Sequence, residues 1–155
     1  MDDAGIFEEL HPALRRFAAV VGGPTVEPDD LVQEALARTL RTTRLTDLDE
    51  PGAYLRRVIV HLAANDRRAT GRRAVILARF GPAPAVAVDA YASDLADLFL
   101  VPPDQRAVLF LHLVEGHDHG EIGRMLDIST EASRARLSRG LKQLRIALVD
   151  EGNRP

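Results

Sequence analysis

Apolar side chains return at three- and four-residue intervals along most of this chain, the period of a helix with one face turned to a core. Ile6, Phe7, Leu10, Leu14, Phe17 and Val21 lay one stripe along a first predicted helix, which Gly22-Gly23-Pro24 ends. A second helix follows Pro28-Asp29-Asp30, whose acids suit the positive end of a helix dipole. Leu31, Val32, Ala35, Leu36 and Leu40 fall on its buried side, and Asp30, Gln33, Glu34 and Arg41 on the other. Residues 42 to 50 are polar and turn-prone, and Pro51 opens a third helix with Leu55, Val58, Ile59 and Leu62 as its stripe.

After Arg73 the pattern decays into Phe80-Gly81-Pro82-Ala83-Pro84-Ala85, which cannot continue a helix and reads as a linker. Beyond it the spacing predicts a short helix around Ser93 to Phe99, a stop at Pro102-Pro103, and a helix from about Asp104 to Glu115. Residues 120–126 and 130–147 then form two helices joined by Asp127-Ile128-Ser129, a helix-turn-helix arrangement. The expected fold class is all-α: two small helical domains, 1–75 and 91–155, on a flexible linker over 76–90.

With 46% apolar and 28% charged residues the chain has the balance of a folded protein, not of a disordered one. The absence of cysteine excludes disulfides, thiolate zinc sites and cysteine nucleophiles, and fits a reducing cytoplasm. The acidic start Met1-Asp2-Asp3 and the lack of about 18 uninterrupted apolar residues predict neither export nor membrane insertion.

Charge changes the picture more. The net charge of −3 is unfavourable for a protein that holds DNA by itself, yet it is an average over alternating blocks. Residues 1–50 carry five arginines against eleven carboxylates, whereas residues 51–79 carry seven arginines against Asp66 alone. Residues 80–129 are again acidic, and residues 130–145 set four arginines and Lys142 against Glu131. Two basic blocks in an acidic chain imply two separate anion-binding surfaces and weak binding to free duplex, hence a carrier.

In the helix-turn-helix segment Ile122, Leu126, Ile128 and Leu137 are the predicted packing residues, and Ser129 or Thr130 the cap of the second helix. Glu131, Ala132, Arg134, Ala135 and Ser138 are then candidates for base edges, and Arg136, Arg139 and Lys142 for phosphates.

The run LVPPDQRAVLFLHLVEGHDHGEIGRMLDISTEASRARLSRGLKQLR resembles region 4 of sigma-70-family factors. DLVQEALARTLR resembles region 2.2, and PGAYLRRVIVHLAANDRR resembles regions 2.3 and 2.4. The order, and the lack of intervening regions, resemble the extracytoplasmic-function group. That resemblance implies a subunit that binds core RNA polymerase through the beta and beta-prime subunits, recognises promoter DNA and is restrained by an anti-sigma factor. It implies no cofactor, no metal and no catalysis.

For particular residues it implies that Asp30, Gln33 and Glu34 meet the beta-prime clamp helices. Tyr54, Arg56, Arg57, His61, Asn65, Arg67 and Arg68 fall to the −10 element, and Ser129, Thr130, Glu131, Arg134, Arg136, Ser138, Arg139 and Lys142 to the −35 element. The sequence departs from the family pattern at four places. Tyr54 stands where tryptophan is usual, His61 where asparagine is, Ala132-Ser133 where Thr-Val is common, and Asp127 where a turn glycine is.

Two rivals deserve weighing. His112, His117, His119 and Glu121 are metal-ligand types, but His117 and His119 sit at an elbow rather than on one helix face and no His-Glu-x-x-His is present. A freestanding helix-turn-helix regulator accounts for the last third of the chain and leaves residues 28–73 without a role.

Overall fold

The computed structural model describes residues 1–80 and 96–152, with side chains described for residues 1–65 and 98–149. The described residues are helical, without strands, in two halves. Helix α1 spans Asp3–Gly22, α2 Pro28–Leu40 and α3 Pro51–Phe80, with a single 3-10 turn at Leu45–Asp47. After a 3-10 turn at Ala96–Leu100 come α4 (Pro103–Leu109), α5 (His119–Leu126) and α6 (Thr130–Gly152).

Local chemistry accounts for most of the boundaries. The Asp2 carboxylate accepts a 2.9 Å bond from the Gly5 amide at the start of α1, and Gly23, with φ 87°, ends it. Pro28 occupies the first turn of α2, where its missing N–H costs nothing, and Asp29 and Asp30 follow at the positive end of the dipole. Asp118 caps α5 by accepting from the Glu121 amide at 2.8 Å.

Helices α1, α2 and α3 pack on one another around Leu14, Phe17, Val21, Leu31, Val32, Ala35, Leu55 and Ile59. Leu45, wholly buried, plugs this bundle from the turn between α2 and α3. In the second half α4 and α5 both pack on α6. The two cores then join: α1 and α3 lie against α4, and α3 against α5, so Ala107, Val108, Leu111, Ile122 and Leu126 belong to the same apolar cluster as Phe17.

The joint is built from particular side chains. The rings of Phe17 and Phe110 lie 6.2 Å apart, each half contributing one. The buried guanidinium of Arg106 in α4 donates to the Val21 carbonyl at the end of α1 and, at 2.6 Å, to the Val101 carbonyl. A cation is well placed there, because the last carbonyls of α1 form the negative end of its dipole.

Several elements differ from the sequence expectation. Leu40 is 44% exposed, because the buried row of α2 runs Leu31, Ala35, Thr39 at intervals of four. Thr39 tolerates that place by donating its hydroxyl to the Ala35 carbonyl at 2.8 Å. Helix α3 continues to Phe80 rather than ending near Arg73, so the expected domain limit at residue 75 falls inside it. Of the linker expected over 76–90, residues 76–80 belong to α3 and the rest lies outside the described residues, as does the start of the helix expected from Ser93. The helix expected to reach Glu115 loosens at Phe110–Val114 into a π turn, closed by bonds from the Glu115 amide to the Phe110 carbonyl and from the His117 amide to the Leu111 carbonyl. Gly116, with φ 77°, makes the elbow.

Candidate nucleic-acid and polymerase interface

The turn between α5 and α6 is specified by two backbone demands. A Cβ on Gly123 would stand 2.7 Å from the Ile128 carbonyl oxygen, so only glycine lets the chain return this closely over α5. The Ile128 amide then bonds the Gly123 carbonyl at 2.9 Å. Asp127, with φ 56°, holds the left-handed conformation in which glycine pays no Cβ penalty. Asp127→Gly is therefore expected to stabilise the protein by up to about 1 kcal/mol, seen as a higher urea midpoint, and an unchanged or lower midpoint would contradict this.

Ser129, not Thr130, caps α6: its hydroxyl accepts from the Ala132 amide at 3.0 Å. Glu131, Arg134, Ser138 and Lys142 follow at spacings of three and four and are all exposed, so they share the outward face of α6. Ser133 and Gly140 are buried on the opposite side, against α5 and α4. Arg139 is exposed at the flank, while Arg136 is half-buried with its Nε 3.7 Å from the Asp104 carboxylate.

On α2 the acids divide. Asp29 turns toward α1, where it meets Arg15 at 3.2 Å and His11 at 3.3 Å. Asp30, Gln33 and Glu34 stand exposed on the outer face. Glu34 accepts a 2.7 Å bond from Arg38, which, with the nearby Arg41, holds its carboxyl below the ordinary 4.5 and keeps it charged.

On α3, Tyr54, Arg57, His61 and Asn65 recur on one face, with the Arg57 guanidinium 5.5 Å from the Tyr54 ring centre. Arg56 is turned the other way, 5.8 Å from the Phe17 ring, and burial lowers its pKa against the partial support of Glu115. The spacing carries the reason: Ile59, Val60 and Ala63, all buried, follow Arg56 by three, four and seven residues. The side chains of Arg67 and Arg68 lie outside the described residues.

The α3 face borders the second half. Arg57, His61 and Asn65 of α3 face Asp104, Asp127 and Arg136 of the second half across a cleft of about 790 Å³. The histidines at the elbow serve the protein's own hydrogen bonds: His117 bridges Glu121 at 2.9 Å and Glu115 at 3.3 Å. Among the described residues no group of three or more His, Asp or Glu side chains is placed to hold a metal ion. No described helix is long and apolar enough to cross a membrane.

A helix-turn-helix with a cationic outer face, mounted on a three-helix bundle with acidic and cationic faces, defines a DNA-binding protein built to work on a partner. Comparison with known proteins makes this specific. The family model for Sigma-70 region 2 matches residues 6–73, and that for Sigma-70, region 4 matches residues 100–144. The chain belongs to the sigma-70 family, as a sigma factor of its extracytoplasmic-function group. Its fold is similar to that of the sigma factor RpoE from Bartonella quintana, solved in complex with the anti-sigma factor NepR, with a TM-score of 0.65 and 19% identity over 97% of this chain and 98% of that one. No curated protein matches the sequence significantly.

Proposed function

We propose that this sigma factor binds core RNA polymerase through the outer face of α2 and directs it to promoters, reading the −10 element with α3 and the −35 element with α6. The observation that carries the reading is the pair of sigma-70 regions matched in order, each with its own exposed face of suitable chemistry. Asp30, Gln33 and Glu34 supply an acidic patch for a basic surface on the beta-prime subunit, with the beta subunit as the second contact. Tyr54 and Arg57 pair a stacking ring with a cation, which suits unpaired bases; His61 and Asn65 extend that face, and Arg67 and Arg68 continue the sequence of cations. Arg56, half-buried against Phe17, stands on another side of the helix from Tyr54, Arg57, His61 and Asn65.

On α6, Glu131, Arg134 and Ser138 meet base edges, Ser129 and Thr130 set the start of the helix, and Arg139 and Lys142 meet phosphates. Arg136 joins them once released from Asp104. The chain is a binding subunit of the cytoplasm and not a catalyst.

The packing of both halves on one apolar core bears on how the factor is loaded. Promoter elements at −35 and −10 lie about 25 base pairs apart, which is ~85 Å of duplex at about 3.4 Å per base pair. Halves packed on one core cannot span that distance, so the closed form is a resting form and docking on polymerase separates the halves. A closed form is also what an anti-sigma factor would hold, and the similarly folded RpoE was solved with one.

The decisive experiment is transcription of genomic DNA by core polymerase with and without the purified chain, followed by mapping of start sites. Defined starts that require the chain are expected. No association with core polymerase at micromolar concentration would overturn the reading, and tight duplex binding without polymerase would favour a freestanding regulator. Arg134→Ala is expected to alter −35 preference, whereas Lys142→Ala should weaken all sequences alike and reduce the salt slope by about 1.

A further inference from the structure

Position 133 lies on the inner side of the recognition helix, and the structure gives its hydroxyl a partner. Ser133 is completely buried on the inner side of α6. Its hydroxyl lies 2.8 Å from Nδ1 of His119, the first residue of α5. A buried hydroxyl without a partner is costly, so the imidazole is what makes serine acceptable there.

The imidazole is itself held. Its ring stacks on that of His112 from the π turn, with centres 4.6 Å apart and planes inclined by 17°. His112 in turn places Nδ1 2.9 Å from the His117 carbonyl at the elbow. That contact requires Nδ1 to be the donor, since a carbonyl only accepts. One polar column thus runs from the elbow through His112 and His119 to Ser133, and ties three separate pieces of backbone to α6.

The next residue after Ser133 is Arg134, which faces outward. The column therefore bears on the rotation of α6 about its own axis. A turn of about 20° displaces a side-chain tip at about 6 Å radius by about 2 Å, more than a hydrogen bond to a base edge tolerates. We infer that His119 is a positioning residue for −35 recognition: through Ser133 it fixes the angle at which α6 presents Arg134 to DNA, and it does so only while its own imidazole is neutral. This rests on the promoter reading above.

The surroundings of His119 favour its neutral state. The ring of His112 in the π turn and the charge of the outward Arg134 on α6 oppose a positive charge on His119, and Asp118, at the cap of α5, favours it. Glu115, His117 and Glu121 are engaged with one another at the outer end of the column. Burial first, then His112 and Arg134, hold the His119 pKa below its ordinary 6.5. A histidine whose pKa is lower in the folded than in the unfolded state resists protonation, so its contribution is complete above 6.5 and is lost as pH falls through the folded pKa.

The test uses the full chain assembled with core polymerase, and a pool of promoter-length duplexes randomised over the −35 segment. Enriched sequences and their affinities are compared at about pH 7.5 and about pH 5.5, on either side of an ordinary imidazole pKa. Wild-type holoenzyme is expected to discriminate among −35 sequences about tenfold less well at the lower pH, while affinity for unrelated duplex does not fall. His119→Gln offers Ser133 an amide in place of the imidazole but cannot titrate, so it should keep discrimination at the higher pH and flatten the profile. Ser133→Val, which removes the need for a polar partner, should flatten it as well.

A His119→Gln holoenzyme with the wild-type pH profile would overturn the proposal, and so would undiminished discrimination in Ser133→Ala at the higher pH. Failure of the promoter reading looks different: wild-type holoenzyme would then enrich no sequence at either pH, and the proposal would fall with it.

Discussion

Phe17→Ala is expected to destabilise the protein by about 3–5 kcal/mol, the range for emptying a buried phenylalanine site. Phe17 is wholly buried and packs within the α1–α3 bundle, while its ring also faces Phe110 of the second half and the guanidinium of Arg56. The cavity would open where two helical units meet, so collapse around it is restricted by both. Urea unfolding of the purified chain measures the loss. A change below about 1 kcal/mol, the size of an ordinary surface substitution, would mean that the joint between the halves is not part of the cooperative core.

Charge reversal on α2 should have the second largest effect, on binding rather than on stability. Glu34→Arg places a cation in the proposed polymerase face and is expected to weaken association with core polymerase by at least about tenfold, ~1.4 kcal/mol. Stability should scarcely move, because an exposed ion pair on a helix contributes little and the like-charge pair created with Arg38 costs little more. Combining it with Arg38→Glu restores an intrahelical pair while keeping the outer charge at position 34 reversed. The double variant should regain the small stability loss and leave polymerase binding impaired. Fluorescence anisotropy of the labelled chain titrated with core polymerase reads the effect. Wild-type affinity in both variants would remove α2 from the docking surface.

The contrast between these two positions reflects how differently they could be read. Glu34 sits on a short helix whose apolar row and first-turn acids are contiguous in sequence, so its outward face follows from spacing alone. Phe17 was legible as a core residue for the same reason, but its neighbour Phe110 lies in the other half and no local pattern joins them. Arg56 is an intermediate case. Its place among the arginines of a basic block suggests DNA, whereas its register with Ile59, Val60 and Ala63 places it inward, and the register prevails because a helix offers each residue only one azimuth.

The π turn at Phe110–Val114 and the inward Arg106 had no sequence signal of this kind. A run of apolar residues suits a continued α-helix equally well, and an arginine in a helix is ordinarily solvated. In each, contacts from other elements outweigh the local preference: Arg106 finds the carbonyl at the end of α1, and the chain widens before an elbow whose glycine has positive φ.

Taken by itself, the sequence determined the order of the helices, the turn of the helix-turn-helix and the side chains that face outward from α2 and α6, since these depend on groups within about four residues of one another. Only the tertiary structure decided that the two halves share a core, that the face of α3 borders a cleft with Asp104, Asp127 and Arg136 of the second half, and that His119 reaches Ser133 fourteen residues away. The physical reason is that helical periodicity sets the direction of a side chain from its own helix, but which group it meets depends on how helices distant in sequence cross, and that is settled by packing.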